Sequence, residues 1–478
     1  MNTKRFDLKS RGTSLSKEIV AGLTTFFAMV YIIVVNPLIL GDAGMDAGGV
    51  FVATILAAVI GTLVMGIVAD VPYAQAPGMG LNAFFAYTVC SVSMGFKWQE
   101  ALAIVFICGL INVLITVTKV RKSIIKSIPE SLQNAIGGAI GLFIAYLGMV
   151  NSGIINFDQI PFGGVQEIAA FDNPSALLAV IGLAITVVLL LLKVKGAIFI
   201  GIIASTIIAI PMGIVDVSNI QWFDISAIGN ISETSFAFFG ETGFASMFAS
   251  GDKIMLAIVA IFAFSLSDTF DTIGTFIGTG RVSGIFDEED EKALQGGKGF
   301  KSKMDKALFA DATATSIGAL LGTSNTTTYV ESASGIAAGG RTGLTSMVTA
   351  FMFLLCLPFA NVFKLVPSAA VAPALIVVGI MMASSLAEIK WGDFAEAVPA
   401  FLTLAFTAFT YSISNGIAAG FIFYVIVKLT TGKAKEVHPI LYGSAALFLA
   451  YFVFMAIQAA GVPVPPEAVE AVEAVASL

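Results

Sequence analysis

Two aspartates lie three residues apart inside an apolar stretch of the sequence. Asp268 and Asp271 belong to the segment 264–280, and their spacing places both on one face of a helix. One ionised carboxylate at the centre of a membrane helix costs about 2.5–3.5 kcal/mol on insertion scales. Two on one face also repel each other, which favours a protonated or hydrogen-bonded state for one of them. The pair therefore predicts a proton-coupling site, and the alternative is a polar clamp between helices. Asp311, within the sequence FADATATS, is a further candidate carboxylate and is predicted to lie near the cytoplasmic end of a span.

A second segment with ligand-binding chemistry covers residues 73–87, YAQAPGMGLNAFFAY. Pro72 and Pro77 disfavour helix, so the chain between them is predicted to be extended. A helix then begins at a glycine-rich turn that includes Gly80. Its unpaired N–H groups and its positive dipole end suit an electronegative ligand atom, and Asn82 offers both a donor and an acceptor. The alternative is a close-packing interface in which Asn82 bonds a neighbouring helix.

The third segment is 322–343, GTSNTTTYVESASGIAAGGRTG. Its run 325–329 is rich in residues that favour strands over helices. A helix is expected to begin at Val330 or Glu331, with Glu331 as a carboxylate in its first turn; the alternative is an ordinary helix cap. Because non-helical backbone inside a membrane needs internal hydrogen bonds, we expect the two extended segments to pair as short strands. Both short helices would then begin at one shared site.

The composition indicates what must position these segments. The chain has 478 residues, of which 57% are hydrophobic and 12% are charged, whereas soluble domains carry about 25% charged residues. This predicts a polytopic protein in the lipid bilayer. The net charge of −7 gives no sign of a nucleic-acid partner. The isolated cysteines predict neither a disulfide framework nor a metal site, and no cofactor motif is present.

Hydropathy predicts an all-α membrane protein with about 14 transmembrane segments arranged as seven plus seven. The predicted spans are 18–40, 50–70, 78–94, 99–118, 131–149, 174–193 and 196–214, followed by 253–279, 305–322, 331–341, 343–362, 367–386, 395–411 and 413–430. The segments 78–94 and 331–341 are short and polar, and are predicted to be half-helices. An odd number of spans per half inverts the second half, and 127–148 resembles 365–386 as such a repeat predicts.

Basic residues predict the orientation in the membrane. Lys and Arg cluster before residue 18 and in the loops 119–127 and 281–306. The long loops 150–173 and 215–251 contain none. Cytoplasmic loops carry an excess of basic residues, so the N-terminus is expected to be cytoplasmic.

Four motifs together are similar to those of a known family. They are EIVAGLTTFFAMVYIIVVNP at 18–37, APGMGLNAFFAY at 76–87, SDTFDTIGT at 267–275 and NTTTYVESASGIAAGGRTGLT at 325–345. The chain resembles the AzgA-like purine permeases, a branch of the nucleobase:cation symporter-2 group. The resemblance extends over nearly the whole chain.

The resemblance implies a domain organisation. The first four spans of each half would form a core domain (1–118 and 252–362), and the last three a gate domain (119–215 and 363–431). The core would move against the gate in an elevator-like manner. Residues 432–478 hold an additional apolar stretch at 440–461 and an acidic tail, which depart from the family pattern.

The resemblance also implies site residues. The residues expected to bind substrate are Asn82, Gly80, Asp268, Glu331, Tyr329, Phe84 and Ser332. Those expected to couple protons are Asp268, Asp271 and Glu331. The uracil-type relatives carry a histidine in the eighth span, and its absence here fits the purine branch.

The expected function is import of purine nucleobases through the cytoplasmic membrane by proton symport. Hypoxanthine and guanine are the favoured substrates, and adenine is a possible substrate. A homodimer is a possible assembly. Carboxylates can accept hydrogen bonds from purine N–H groups, and Phe84, Phe85 or Tyr329 could stack on the ring. An anion carrier on a related inverted-repeat fold is disfavoured because the charged residues among the candidate site residues are all carboxylates. A magnesium-dependent membrane enzyme is disfavoured because a second aspartate motif is missing.

Overall fold

A computed structural model describes residues 6–91, 94–118, 128–156, 167–168, 173–217, 222–249, 251–276, 279, 284–286, 290, 302–410 and 412–461. The basic loop 119–127, most of the basic loop 281–306 and the acidic tail 462–478 lie outside these residues.

The first half of the chain contains two long helical spans, a strand with a short helix, and four further helices. Its elements are α1 (Leu15–Met29), α2 (Ile32–Asp42), α3 (Ala47–Val64), β1 (Gln75–Pro77), α4 (Met79–Phe84), α5 (Trp98–Val117), α6 (Glu130–Asn151), β2 (Ile155–Asn156), β3 (Glu167–Ile168), α7 (Pro174–Leu191) and α8 (Ala197–Ala209). Helices α3 and α4 continue as the π-helical turns Met65–Ala69 and Phe85–Val89.

The second half repeats this order. Its elements are α9 (Phe244–Met247), α10 (Gly251–Thr275), α11 (Lys303–Leu321), β4 (Thr326–Thr328), α12 (Ser332–Ala337), α13 (Gly343–Leu354), α14 (Ala360–Phe363), α15 (Ser368–Ala383), α16 (Phe394–Phe409), α17 (Ile413–Thr430) and α18 (Pro439–Gly461). The 3₁₀ turns are Ser226–Glu233, Ala237–Phe239, Leu357–Phe359, Ser384–Glu388 and Ala434–Glu436.

The described part of the chain forms a polytopic helical membrane protein, as predicted. Among its residues, nine helical spans are long and apolar enough to cross a membrane by length and composition. Shorter apolar helices include Met79–Val89 and Ala197–Ala209. The half-helices α4 and α12 each follow a short strand, which confirms that element of the predicted fold.

The predicted repeat is visible in α6 and α15. Each helix begins directly after an extended proline, Pro129 or Pro367, which cannot donate to a preceding carbonyl and therefore suits a helix start. The two helices pack closely against each other. A Cβ atom at Gly141 would lie 2.7 Å from the carbonyl oxygen of Gly379, so glycine at position 141 allows the two backbones to touch.

The two three-residue strands β1 and β4 pair in an antiparallel manner. Gln75 faces Thr328 and Pro77 faces Thr326 in this register. The Gly78 N–H extends the pairing by donating to the Asn325 carbonyl at 2.9 Å. All residues of both strands are buried. The pairing satisfies backbone groups that have no access to water at this depth, as predicted.

The helices pack in two sets. Helix α3 contacts α11, α13 and β1, and α5 contacts α10 and α11. In the other set, α6 packs on α15 and α16, and α15 also packs on α7 and α8. The additional apolar stretch predicted at 440–461 forms α18, which contacts α17 and α10.

Candidate functional site

Two half-helices begin beside the two-stranded sheet. Gly78 is the extended residue before α4, and Glu331 is the residue before α12. Neither helix start has a side-chain cap hydrogen bond. Helix α12 begins at Ser332 rather than at Val330 or Glu331. Glu331 occupies the N-cap position, but its side chain does not serve as the ordinary cap that the sequence left open as an alternative.

A cavity of about 590 Å³, including its open mouth, lies at these helix starts. Its walls come from the turn before α2, from α4 and α10, from β4 and the segment after it, and from the two helices α6 and α15. The lining residues are Tyr31, Gly78, Met79, Gly80, Leu81, Ile140, Ser267, Asp271, Thr275, Thr327, Thr328, Tyr329, Val330, Glu331, Val378 and Met382. Of the residues predicted from the sequence to form the site, Gly80, Asp271, Tyr329 and Glu331 line it.

Glu331 is held by a tyrosine from the first span. The Tyr31 hydroxyl donates a hydrogen bond to Glu331 Oε1 at 2.5 Å. Tyr329, two residues earlier in the chain, donates its own hydroxyl to the Pro77 carbonyl at 2.6 Å and so links β4 to β1. The Tyr329 ring remains in the cavity wall. Tyr329 therefore meets the end of β1, and Glu331 lies in the same cavity wall.

The two aspartates of α10 occupy different surroundings. Asp271 lines the cavity and is exposed to it. Asp268 is fully buried, and its Oδ2 accepts hydrogen bonds from Asn112 Nδ2 and Thr315 Oγ1, each at 3.1 Å, and from Asn325 Nδ2 at 3.3 Å. Asp268 Oδ1 has no hydrogen-bond partner within the described ranges. Asp268 thus makes contacts typical of a polar clamp between helices, whereas Asp271 faces the cavity.

Three other predicted residues lie behind the cavity wall. Asn82 Oδ1 accepts a hydrogen bond from the Ser324 hydroxyl, and Ser332 Oγ accepts from the Ala74 N–H at 3.1 Å. Phe84 packs edge-on against the Phe264 ring, with centroids 4.6 Å apart. None of these predicted residues belongs to the cavity lining. Their contacts join α4, α10 and α12 to the segments around the sheet.

A further buried carboxylate supports the site from behind. Asp311 is 4% exposed, although the sequence placed it near the end of a span. Its oxygens accept hydrogen bonds from Gln75 Nε2 at 3.1 Å, Thr328 Oγ1 at 2.7 Å and Thr272 Oγ1 at 2.9 Å. It lies in the middle of α11, not near its end, and joins both strands to α10. The small residues around it in the sequence FADATATS are the one signal of such close packing.

A polytopic helical bundle with a carboxylate-lined cavity between two half-helices is a membrane transporter of the inverted-repeat class. A family model described as Permease family (Xan_ur_permease) matches residues 16–417. The chain belongs to this family, and is therefore a transport protein rather than an enzyme. The resemblance to purine permeases noted in its motifs is confirmed by its relatives.

Two relatives and one solved structure illustrate the likeness. Guanine/hypoxanthine permease PbuO of Bacillus subtilis is 40% identical over 448 residues, covering 93% of this chain and 98% of PbuO. Adenine permease AdeP of Escherichia coli is 39% identical over 450 residues, covering 94% and 95%. The transmembrane domain of the cyanobacterial bicarbonate transporter BicA superposes with a TM-score of 0.60 at 14% identity, covering 85% of this chain and 97% of that domain. This last likeness concerns the fold alone.

Proposed function

We propose that this protein imports purine nucleobases across the cytoplasmic membrane. The observation that carries the proposal is the cavity wall, where the carboxylates Asp271 and Glu331 lie beside two half-helix starts and no Lys or Arg is among the described lining residues. A bare anion would favour a basic residue at such a place, so this charge pattern argues against an anion carrier. The relatives named as guanine/hypoxanthine and adenine permeases support the same substrate class.

The wall offers groups that complement a purine. A purine is flat and neutral and alternates hydrogen-bond donors with acceptors around its ring. Glu331 and Asp271 would accept from ring N–H groups, backbone N–H groups at the start of α4 would donate to ring nitrogens or the exocyclic oxygen, and Tyr329 would stack on the ring.

Proton symport is the proposed source of energy. Asp268, Asp271 and Glu331 are the proposed coupling groups, because each is a carboxylate within or directly behind the cavity wall. In a membrane interior a carboxylate is easier to carry when it is neutral, so taking up a proton would facilitate movement of the loaded site. The only histidine, His438, directly precedes α18 and lies outside the cavity lining.

The proposed movement is an elevator-like displacement of a core domain (1–118 and 252–362) against a gate domain (119–215 and 363–431). The cavity walls support this division, since Gly80 and Asp271 face Ile140 and Val378 from the other set of helices. A rigid displacement along that boundary would carry the site with α4 and α10. With the N-terminus in the cytoplasm, substrate would arrive from the opposite side.

The test is uptake of radiolabelled hypoxanthine by cells that lack their own purine carriers and express this protein. Expected is saturable uptake that excess unlabelled guanine suppresses, with weaker competition by adenine. Stronger suppression by adenine would assign the protein to the adenine-preferring permeases. Absence of competition by any purine would refute the proposed substrate class.

A further inference from the structure

Tyr31 lies where the first span is interrupted. Helix α1 ends at Met29 and α2 begins at Ile32, so Tyr31 occupies the turn between them as the N-cap of α2. The residue is 1% exposed, and its ring belongs to the main hydrophobic core. Tyr31 is also a lining residue of the cavity. Its ring is therefore fixed by packing beside the site.

The hydroxyl is committed to a single partner. It donates to Glu331 Oε1 at 2.5 Å, a length typical of a charge-assisted O–H···O⁻ hydrogen bond. These two residues are 300 positions apart and come from opposite halves of the chain. No hydrogen bond to Glu331 Oε2 from another residue is found in the parts of the chain that the structure describes. Tyr31 thus occupies one carboxylate oxygen of a glutamate that lines the cavity.

We propose that Tyr31 is a positioning residue that orients Glu331 for the substrate. This inference rests on the proposed function, in which Glu331 accepts hydrogen bonds from purine N–H groups. A glutamate side chain has three rotatable bonds, and holding one oxygen removes much of that freedom before the ligand arrives. Tyr31 would accordingly act through Glu331. The proposal does not require Tyr31 itself to contact the purine.

The role predicts a specific kinetic effect for Tyr31→Phe. Phenylalanine retains the packed ring and removes only the donor, so the bundle should stay intact. Because hydrogen bonds to charged groups are worth about tenfold or more in binding, KM for hypoxanthine should rise about tenfold while the maximal rate stays within about twofold. Tyr73→Phe is the matched control: Tyr73 is buried, its hydroxyl lies 2.7 Å from Thr279 Oγ1, and it is not a cavity-lining residue. Its KM should be unchanged.

A second variant makes the inference testable even if Tyr31→Phe misfolds. Glu331→Asp keeps the charge but withdraws the carboxylate from Tyr31 by one methylene, and should raise KM by a similar factor. Combining Tyr31→Phe with Glu331→Asp should add little further loss, because both changes remove one interaction. If Tyr31 had only a structural role, the two substitutions should instead cause additive losses in the amount of protein in the membrane.

The outcomes separate the inference from the function beneath it. If the wild-type protein takes up purines and Tyr31→Phe leaves KM within twofold of wild type, Tyr31 does not position Glu331 and the inference is overturned alone. The same holds if Glu331→Asp binds purines normally. If the wild-type protein takes up no purine, the proposed function and this inference are overturned together.

Discussion

Gly80 of the half-helix α4 lies directly against Ile140 of α6. A Cβ atom at position 80 would overlap Ile140 Cγ2. Both residues line the cavity, and they belong to the two different sets of packed helices. Glycine at position 80 thus allows the start of the half-helix to approach the opposite wall. Relative movement of the two sets of helices would change this contact.

This contact predicts that Gly80→Ala impairs transport. The added methyl group must displace Ile140 or α4, and overpacking of this kind costs about 1–3 kcal/mol. Hypoxanthine uptake should fall at least fivefold with normal amounts of protein in the membrane, as measured by initial rates and immunoblotting. The expected loss is large because the displaced helix start belongs to the site.

The rescue of this variant is equally specific. In the double variant Gly80→Ala/Ile140→Ala, the nearest remaining atom of residue 140 is its Cβ, 3.8 Å from the new methyl group, so uptake should recover. Gly41→Ala is the control, because no atom lies within 4 Å of a Cβ at that position in α2. Normal uptake by Gly80→Ala, or no recovery in the double variant, would contradict the close contact.

The carboxylates of the cavity wall should be required for uptake. In Glu331→Gln and Asp271→Asn, an amide of nearly the same shape replaces one acceptor oxygen with a donor. Because hydrogen bonds to charged groups contribute about 1.5–3 kcal/mol, each variant should lose at least tenfold in uptake without loss of protein from the membrane. Glu388→Gln, at an exposed glutamate outside the cavity, should behave as wild type. Wild-type uptake by Glu331→Gln would remove Glu331 from the site.

Asp311 should act on stability. Asp311→Asn replaces one of the oxygens that accept from Gln75, Thr272 and Thr328 with an amide donor, so at least one of these buried hydrogen bonds is lost or must reverse. A buried group left unsatisfied costs about 1–3 kcal/mol, so the melting temperature of the purified protein should fall by several degrees. Asp393→Asn is the control, since Asp393 is an exposed N-cap and asparagine caps helices equally well. An unchanged melting temperature for Asp311→Asn would show that the buried network contributes little.

Local rules predicted the half-helices and failed to predict the contacts behind them. Prolines, glycines and a strand-favouring run act within a few residues, so the extended segments and their short helices could be placed from the sequence. The pairing of β1 with β4 followed from the need to satisfy backbone hydrogen bonds in a membrane.

The aspartates of α10 illustrate the limit. Three residues along a helix leave two side chains about 60° apart, which is close enough to predict a pair. The same angle lets Asp268 point into the bundle while Asp271 points into the cavity. Tyr31 carried no local signal, because its partner lies 300 residues away and only the folded chain brings them together. The prediction that Asp311 lies near the end of a span was wrong, because hydropathy does not show which part of a span packs against the strands.

The coupling ion should be the proton. Uptake of hypoxanthine by whole cells should collapse when a protonophore dissipates the gradient, and replacing external sodium with potassium should have no effect. The physical reason is that the wall offers carboxylates that can be neutralised by a proton. Uptake that survives the protonophore but requires sodium would contradict proton symport.

The central claim is that this bundle carries a purine through its carboxylate-lined cavity. The direct measurement is uptake of radiolabelled hypoxanthine into liposomes that contain only the purified protein, with the outside more acidic than the inside. The liposomes should accumulate hypoxanthine above the external concentration, and this accumulation should be abolished by excess unlabelled guanine and unaffected by bicarbonate. Liposomes that take up no more hypoxanthine than protein-free vesicles would contradict it.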